Sequence, residues 1–193
     1  MNTVIIDYGA GNTKSVQFAL KRLGVDAVLT SNKELISLAD KVIFPGVGHA
    51  NSAMERLIDV NLDKVIPNLR QPVLGICLGM QLMCNFSEEG NTKGLGIFDL
   101  DVKKFSGNNK IPKIGWNNIF NLKSNLFDEL NEKEFMYFVH SYYVPIAKQT
   151  IATANYGFDY SAAVKKNNFY GCQFHPEKSG DKGELILKNF LKL

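Results

Sequence analysis

A cysteine between two glycines is the strongest chemical signal in the chain. The segment PVLGICLGMQLMCN (72–85) runs from an apolar strand pattern through Cys77 into a helical pattern, with Gly75 and Gly79 on either side of the thiol. This G-x-C-x-G arrangement is the cysteine form of a nucleophile elbow, in which the flanking glycines permit close backbone approach. The helix N-terminus favours a thiolate there, and the N–H of Leu78 can face a developing oxyanion. A small buried cysteine packed between glycines is the structural alternative.

A histidine and a glutamate near the C-terminus are the partners that a cysteine nucleophile needs. They lie in QFHPEKS (173–179), where Pro176 disfavours helical geometry at His175, so we expect an extended segment. Residues two apart share a face of an extended chain, which would point His175 and Glu177 the same way. A carboxylate beside an imidazole fixes its tautomer and stabilises its charged form. Together with Cys77, these residues predict a Cys-His-Glu triad.

A glycine-containing loop after an apolar strand is a third candidate. In FPGVGHA (44–50) the two glycines allow backbone N–H groups to turn towards a ligand. We expect an N–H of Val47 or Gly48 to complete an oxyanion hole with Leu78. An ordinary strand-to-helix turn would account for the same residues.

The elements that must position these residues alternate between strands and helices in the first half of the chain. Apolar runs and helical spacing predict, in chain order, a strand at 3–7, a helix at 13–23, strands at 26–30 and 41–45, a helix at 52–66 stopped by Pro67, and a strand at 72–76. Strand, helix and strand in series predict a parallel sheet. Its strands would bring the candidate loops to one edge, since ligands bind at the carboxyl ends of open α/β sheets.

The second half has a different rhythm, with strand-like pieces separated by turn residues. These pieces lie at 98–105, 113–120, 134–144, 151–156, 161–166 and 168–174. We expect them to add antiparallel strands to the sheet, and we expect a closing helix in residues 180–193. The sequence has no repeat and no Pro- or Ser-rich linker, so the prediction is one α/β domain over residues 1–193.

Composition narrows the class of partner. The 193 residues carry 22 basic and 19 acidic side chains, a balance too even to steer the chain onto nucleic acid or an anionic membrane. No apolar run approaches a membrane span, and the first ten residues lack the pattern of a secretion signal, so we expect a cytoplasmic protein. Three cysteines without a C-x-x-C pair predict neither a disulfide framework nor a zinc site.

The motifs PGVG, GICLGMQ and FHPEKS, in this order, resemble those of the class I (triad) glutamine amidotransferases. The resemblance extends across essentially the whole chain. The variants IDYGAGN, SEEG, KIGWN and YFVHSYY are most similar to one branch, the glutaminase subunits of imidazole glycerol phosphate synthases. The resemblance implies a flavodoxin-like fold with a central, mostly parallel sheet flanked by helices, and it implies no metal and no organic cofactor.

The resemblance also implies roles for named positions. Cys77 would attack the side-chain amide of glutamine. The resemblance also matches four positions to glutamine binding and four to an interface with a partner protein. Those matched to glutamine binding are Gln81, Glu89, Ser141 and Tyr142, and those matched to a partner interface are Asn12, Trp116, Tyr137 and Lys178. The implied partner is a (βα)8-barrel cyclase that receives the ammonia, in a heterodimer. The PGVG loop is expected to be unsuited to catalysis until the cyclase binds its ligand.

Three other functions remain compatible with the sequence. The same glutaminase could serve a paralogous barrel that amidates a surface sugar. A non-catalytic binding module would keep the fold for assembly alone, although all three triad positions are occupied. A cysteine protease would share the elbow, but the glutamine-holding positions Gln81 and Glu89 accompany it here.

Overall fold

The chain folds around one long sheet with helices on both of its faces. The computed structural model describes residues 1–107 and 109–193. Their strands are β1 (Thr3–Ile6), β2 (Val28–Thr30), β3 (Lys41–Gly46), β4 (Val73–Cys77), β5 (Phe86–Ser87), β6 (Thr92–Lys93), β7 (Asp101–Lys104), β8 (Lys113–Asn118), β9 (Phe135–His140), β10 (Tyr142–Pro145), β11 (Thr150–Asn155), β12 (Asp159–Lys166) and β13 (Phe169–Cys172). The helices are α1 (Thr13–Arg22), α2 (Lys33–Ser37), α3 (Ala50–Asp59), α4 (Leu78–Leu82) and α5 (Gly180–Lys192).

Half of this sheet is parallel, as the alternating pattern predicts. Its strands run in the order β2-β1-β3-β4-β13, and every neighbouring pair in that series is parallel. Although β13 comes from the end of the chain, it lies directly beside β4. Two segments that are far apart in sequence are therefore neighbours at the site. The loops that follow β3, β4 and β13 therefore leave the sheet at the same edge.

Mostly antiparallel pairs extend the sheet beyond β13, with β5 and β7 as a parallel exception, and this confirms the predicted fold class. The order continues β12-β10-β7-β5-β6, and β11 pairs with β12. The predicted single piece at 134–144 is divided at Ser141: β9 pairs with β8 in a separate two-stranded sheet, whereas β10 joins the main one. A single apolar run covers both strands. The apolar pattern predicts strand structure, but it does not show that the neighbouring strand changes within the run.

The sheet separates two hydrophobic clusters. Phe44 of β3 packs with Leu57 of α3 on one face, while the next residue along the strand, Ile43, packs with Leu20 of α1 and Phe190 of α5 on the other. Strand alternation produces this division, and near-continuous apolar runs are what parallel strands buried on both faces require. No helix in the described part of the chain is both long and apolar enough to cross a membrane.

The prediction of one helix over 52–66 is wrong. The helix begins at Ala50 and ends at Asp59, and Asn61 adopts a left-handed conformation with φ of 54°. Asparagine tolerates that conformation better than most residues, which ends the helix although the apolar spacing continues. Pro67 lies inside a separate 3-10 turn, Ile66–Asn68, and does not stop a longer helix. The helices predicted at 13–23 and 180–193 are confirmed with their ends shortened by one residue.

Three glycines allow the elements around Cys77 to approach one another. A Cβ atom on Gly46 would lie 2.6 Å from the backbone nitrogen of Gly79, and one on Gly75 would lie 2.8 Å from the nitrogen of Met80. A Cβ on Gly79 would overlap the carbonyl oxygen of Phe44. Because these contacts are with backbone atoms, α4 would have to move away from β3 to accept any side chain there.

We predict that Gly79→Ala lowers the free energy of unfolding by about 3 kcal/mol or more, the upper range for an overpacked site. Gly24→Ala is the control, because Gly24 has a positive φ of 79° but no atom of the described residues, its chain neighbours aside, lies within 4 Å of its Cβ position. It should cost only about 1 kcal/mol. Urea denaturation of both variants tests this, and equal losses would contradict the close approach at Gly79.

Candidate active site

Cys77 occupies a strained position between a strand and a helix. It is the last residue of β4 and caps the N-terminus of α4, with φ of 53° and ψ of −110°. A non-glycine residue held in such a conformation costs roughly 1–3 kcal/mol and persists only where the surrounding structure imposes it. The turn places the thiol at the carboxyl edge of the sheet, where Cys77 remains 7% exposed. This is the predicted elbow geometry.

His175 and Glu177 form a buried pair directly beside this edge. His175 follows β13, the neighbour of β4, and its Nδ1 atom lies 2.8 Å from Oε1 of Glu177. The predicted extended segment is only partly present: His175 itself is extended, but Pro176–Lys178 is a 3-10 turn. Proline suits the first position of a helical turn, where its missing N–H is not needed. The pair therefore meets across a turn, not along the face of a strand.

The charges around His175 favour its protonated form. Burial by itself lowers the pKa of the imidazole, but the neighbouring Cys77 sulfur, as an anion, and the hydrogen-bonded Glu177 carboxylate outweigh it and raise the pKa to about 10. The Nδ1 atom faces the carboxylate, so the proton available for chemistry is the one on Nε2. This buried nitrogen has no hydrogen-bond partner within residues 1–107 and 109–193.

One cavity of about 250 Å³ collects most of the predicted site. Its walls include the nucleophile, the histidine, and the predicted oxyanion and glutamine-binding positions: Cys77, His175, Val47, Gly48, Leu78, Gln81, Glu89, Ser141 and Tyr142. Glu177 lies behind His175 and is 9% exposed. Pro112, Val139 and His140 also line the cavity, and none of them is among the predicted site residues.

The predicted glutamine-binding residues are tied to the backbone around the cavity. Gln81, on α4, donates to the carbonyl oxygen of Tyr142 at 3.0 Å. Glu89 accepts the backbone N–H of Ala50 at 2.8 Å, so its carboxylate caps the helix that follows the glycine loop. The carbonyl oxygen of Ser141 accepts the N–H of Phe105.

The predicted oxyanion residues lie on two different segments of the cavity wall. Leu78 is the first residue of α4, where backbone N–H groups lack partners within the helix. Val47 and Gly48 precede α3 in an exposed loop, and Gly48 has a positive φ of 98°. His49 ends the loop by accepting the N–H of Asn51 at 3.3 Å, a role that the sequence did not reveal.

Two of the predicted partner-interface residues, Trp116 and Tyr137, lie on the β8–β9 hairpin, next to the cavity, and the other two lie on segments near it. Trp116 and Tyr137 are directly paired across the strands, with their ring centroids 6.0 Å apart. The ammonium group of Lys178 lies 6.0 Å from the Tyr137 ring. Asn12 precedes α1, a helix that contacts the turn containing Lys178. The hairpin also exposes Ile114, which the motif analysis did not single out.

The other two cysteines and His140 are buried. Cys84 and Cys172 are fully inaccessible, and burial raises the pKa of each thiol well above its usual value, as expected for core cysteines. His140 donates from Nδ1 to the carbonyl oxygen of Tyr142 at 2.7 Å, and its Nε2 lies 3.4 Å from the Tyr160 hydroxyl. Burial lowers the pKa of His140 to about 4, so the ring is neutral at physiological pH.

Comparison with solved structures identifies the fold. A structure of PurLQS from Thermotoga maritima matches 99% of this chain and 97% of its own, with a TM-score of 0.75 at 17% identity. A structure described as a glutamine amidotransferase matches 98% and 97%, with a TM-score of 0.76 at 16% identity. At these identities the likeness concerns the fold.

Sequence comparison defines the family. The model of class-I glutamine amidotransferases matches residues 4–193, and the chain belongs to this family. Among curated relatives, the imidazole glycerol phosphate synthase subunit HisH of Bacteroides fragilis is 59% identical and that of Bacteroides thetaiotaomicron is 55% identical. The corresponding subunit of Buchnera aphidicola is 46% identical. Each alignment covers 100% of this chain and 100% of the relative.

The neutral His140 makes stability depend on pH. Its pKa is about 4 in the folded chain and about 6.5 in the unfolded chain, so its contribution is complete above pH 6.5 and is lost as the pH falls towards 4. Between pH 7 and pH 5 the parent should lose about 2 kcal/mol more unfolding free energy than His140→Gln. Urea titrations at the two pH values measure this difference. Parallel losses would show that His140 is not held neutral.

Proposed function

We propose that Cys77, His175 and Glu177 hydrolyse glutamine to glutamate and ammonia, and that the chain works as the glutaminase subunit of an imidazole glycerol phosphate synthase. One observation supports the proposed hydrolysis of glutamine. A strained cysteine, a His-Glu pair and the predicted glutamine-binding side chains of Gln81 and Glu89 converge on one cavity. The assignment to this synthase in histidine biosynthesis is supported by full-length relatives at 46–59% identity.

The first half of the reaction makes a thioester. The Cys77 sulfur attacks the amide carbon of glutamine, and the charge that develops on the oxygen is met by the N–H of Leu78 together with an N–H of the Val47–Gly48 loop. His175 gives its Nε2 proton to the departing nitrogen, so ammonia leaves and the glutamyl group stays on sulfur. The raised pKa of His175 keeps that proton available at neutral pH.

The second half restores the thiolate. His175, now neutral, takes a proton from water as the water oxygen attacks the thioester carbon. The carbon–sulfur bond breaks, glutamate leaves, and the imidazolium again faces a thiolate. Glu177 holds the Nδ1 proton of the ring in both halves, which keeps Nε2 directed at the reacting atoms.

Ammonia released into water at neutral pH is protonated and lost as a nucleophile, so hydrolysis is useful only if a synthase receives the ammonia directly. The proposed receiver is a (βα)8-barrel cyclase, bound as a heterodimer, that makes imidazole glycerol phosphate and AICAR. The β8–β9 hairpin is the proposed docking surface. Its outer face carries Ile114, Trp116 and Phe135, which are 58%, 54% and 58% exposed, and this face reaches the cavity at Val139.

We predict that Cys77→Ala abolishes glutamine-dependent synthesis but leaves the complex able to use added ammonium salts. The substitution removes the ammonia source and leaves the cyclase intact. Product formation by the mixed subunits, with glutamine or with ammonium chloride, measures both activities. Loss of both would indicate a structural role for Cys77. A parent complex that uses only ammonium would assign the glutaminase to another synthase, the sugar-amidating barrel first.

The hairpin surface gives a separate prediction. Trp116→Ala should weaken binding to the cyclase by about 30-fold, as expected for a central aromatic contact. Leu38→Ala is the control, because Leu38 is 71% exposed but precedes β3, at the opposite end of the strands from the cavity. It should change affinity less than about twofold. Isothermal titration of both variants decides the point, and equal effects would place the interface elsewhere.

A further inference from the structure

A chain of buried amides leads from the wall of the cavity to the nucleophilic sulfur. The side chain of Gln81 donates from Nε2 to the carbonyl oxygen of Tyr142 at 3.0 Å and to Oε1 of Gln173 at 2.8 Å. The Nε2 atom of Gln173 lies 3.7 Å from Sγ of Cys77, within donor range of the sulfur. Gln173 is fully buried, and Gln81 is 5% exposed.

We propose that Gln173 is a further catalytic residue, whose side-chain N–H stabilises the Cys77 thiolate both before attack and as the leaving group of the thioester. The proposal deepens the function proposed above and rests on it for the reaction steps. The contact with the sulfur itself is a property of the free chain.

The orientation of both amides, Gln81 and Gln173, follows from one acceptor atom. The carbonyl oxygen of Tyr142 can only accept, so the end of Gln81 that faces it must be the NH2 group. The same NH2 group faces Gln173, which must therefore turn its oxygen towards Gln81. The opposite end of the Gln173 amide is then a donor, and it points at the sulfur of Cys77.

His140 reinforces this direction. Its Nδ1 atom also lies within hydrogen-bond distance of the Tyr142 carbonyl oxygen, at 2.7 Å. Because that oxygen can only accept, it fixes both the tautomer of His140 and the orientation of Gln81. The backbone of Gln173 is held as well, since its N–H donates to the carbonyl oxygen of Ala162 at 2.8 Å. Reversing the Gln173 amide would bring two donors together at Gln81, inside a buried site.

The sulfur has a different partner in each protonation state. The neutral thiol can donate to the carbonyl oxygen of Val139, 3.8 Å away. The thiolate can only accept, and Gln173 is the side-chain amide within reach of it. Hydrogen bonds to a charged group are stronger than those between neutral groups, so the Gln173 contact contributes most when the sulfur carries its charge.

The test is the rate at which iodoacetamide alkylates Cys77 between pH 5 and pH 9, in the free chain and without glutamine. Peptide mass spectrometry separates Cys77 from Cys84 and Cys172. Gln173→Met should be alkylated about tenfold more slowly than the parent at pH 7, with its profile displaced to higher pH. The two rates should converge at the alkaline plateau, because a thiolate remains reactive once it has formed. A general loosening of the pocket would change the plateau and leave the midpoint in place.

Two further variants complete the test. Gln173→Glu keeps the shape and still accepts from Gln81, but it turns an oxygen towards the sulfur, so it should react more slowly than Gln173→Met at pH 7. Gln71→Met is the matched control, since Gln71 is a partly buried amide that bonds the Ile36 carbonyl just before β4, at the other end of the strand. It should retain the parent profile.

Each outcome bears on one claim. A parental profile in Gln173→Met would overturn the inference, and so would a parental profile in Gln173→Glu if the first variant fails to fold. A third outcome combines a displaced alkylation profile in Gln173→Met with a parent protein that releases no glutamate from glutamine, even with the cyclase. This outcome would support the role of Gln173 at the sulfur. That result would overturn the proposed glutaminase function instead.

Discussion

The close approach of β3, β4 and α4 around Cys77 is the constraint on which the rest of the structure depends. The thiol reaches the sheet edge because Cys77 adopts a φ of 53° that few residues tolerate. That turn in turn requires that Gly46 and Gly79 carry no side chain. Parallel pairing then delivers the other components, since β13 beside β4 brings His175 to the same edge although it is distant in sequence. The elbow fixes where chemistry can occur, and the sheet order fixes what surrounds it.

The buried polar side chains of this site are each held in one orientation by their hydrogen-bond partners. Glu177 holds one nitrogen of His175 and leaves the other for proton transfer. Next to the sulfur, the Tyr142 carbonyl orients the Gln81 amide, which orients that of Gln173. Such groups cost free energy to bury and cost more if a partner is lost, so they hold one arrangement. In the proposed mechanism, the imidazolium and the amide N–H both stabilise the thiolate before any substrate arrives.

Sequence patterns predicted those parts of the molecule that local chemistry determines. The elbow, the parallel strands and the convergence of Cys77 with His175 follow from glycine spacing, apolar runs and the rule that parallel strands end at one edge. Predictions failed at element ends: the 52–66 helix ends early at a left-handed Asn61, and the segment after His175 forms a 3-10 turn with Pro176 at its first position. Gln173 was missed because a glutamine two residues before His175 gains meaning only when β13 places it beside Gln81.

The proposed mechanism requires that Cys77 forms a covalent intermediate with glutamine. The most direct measurement is peptide mass spectrometry of the chain mixed with its cyclase and the cyclase ligand, quenched in acid during turnover of glutamine. The account predicts that the peptide containing Cys77 gains the mass of one glutamyl group, and that His175→Asn or Cys77→Ala abolishes this gain. Release of glutamate at the parental rate by Cys77→Ala, with no adduct on the parent, would contradict it.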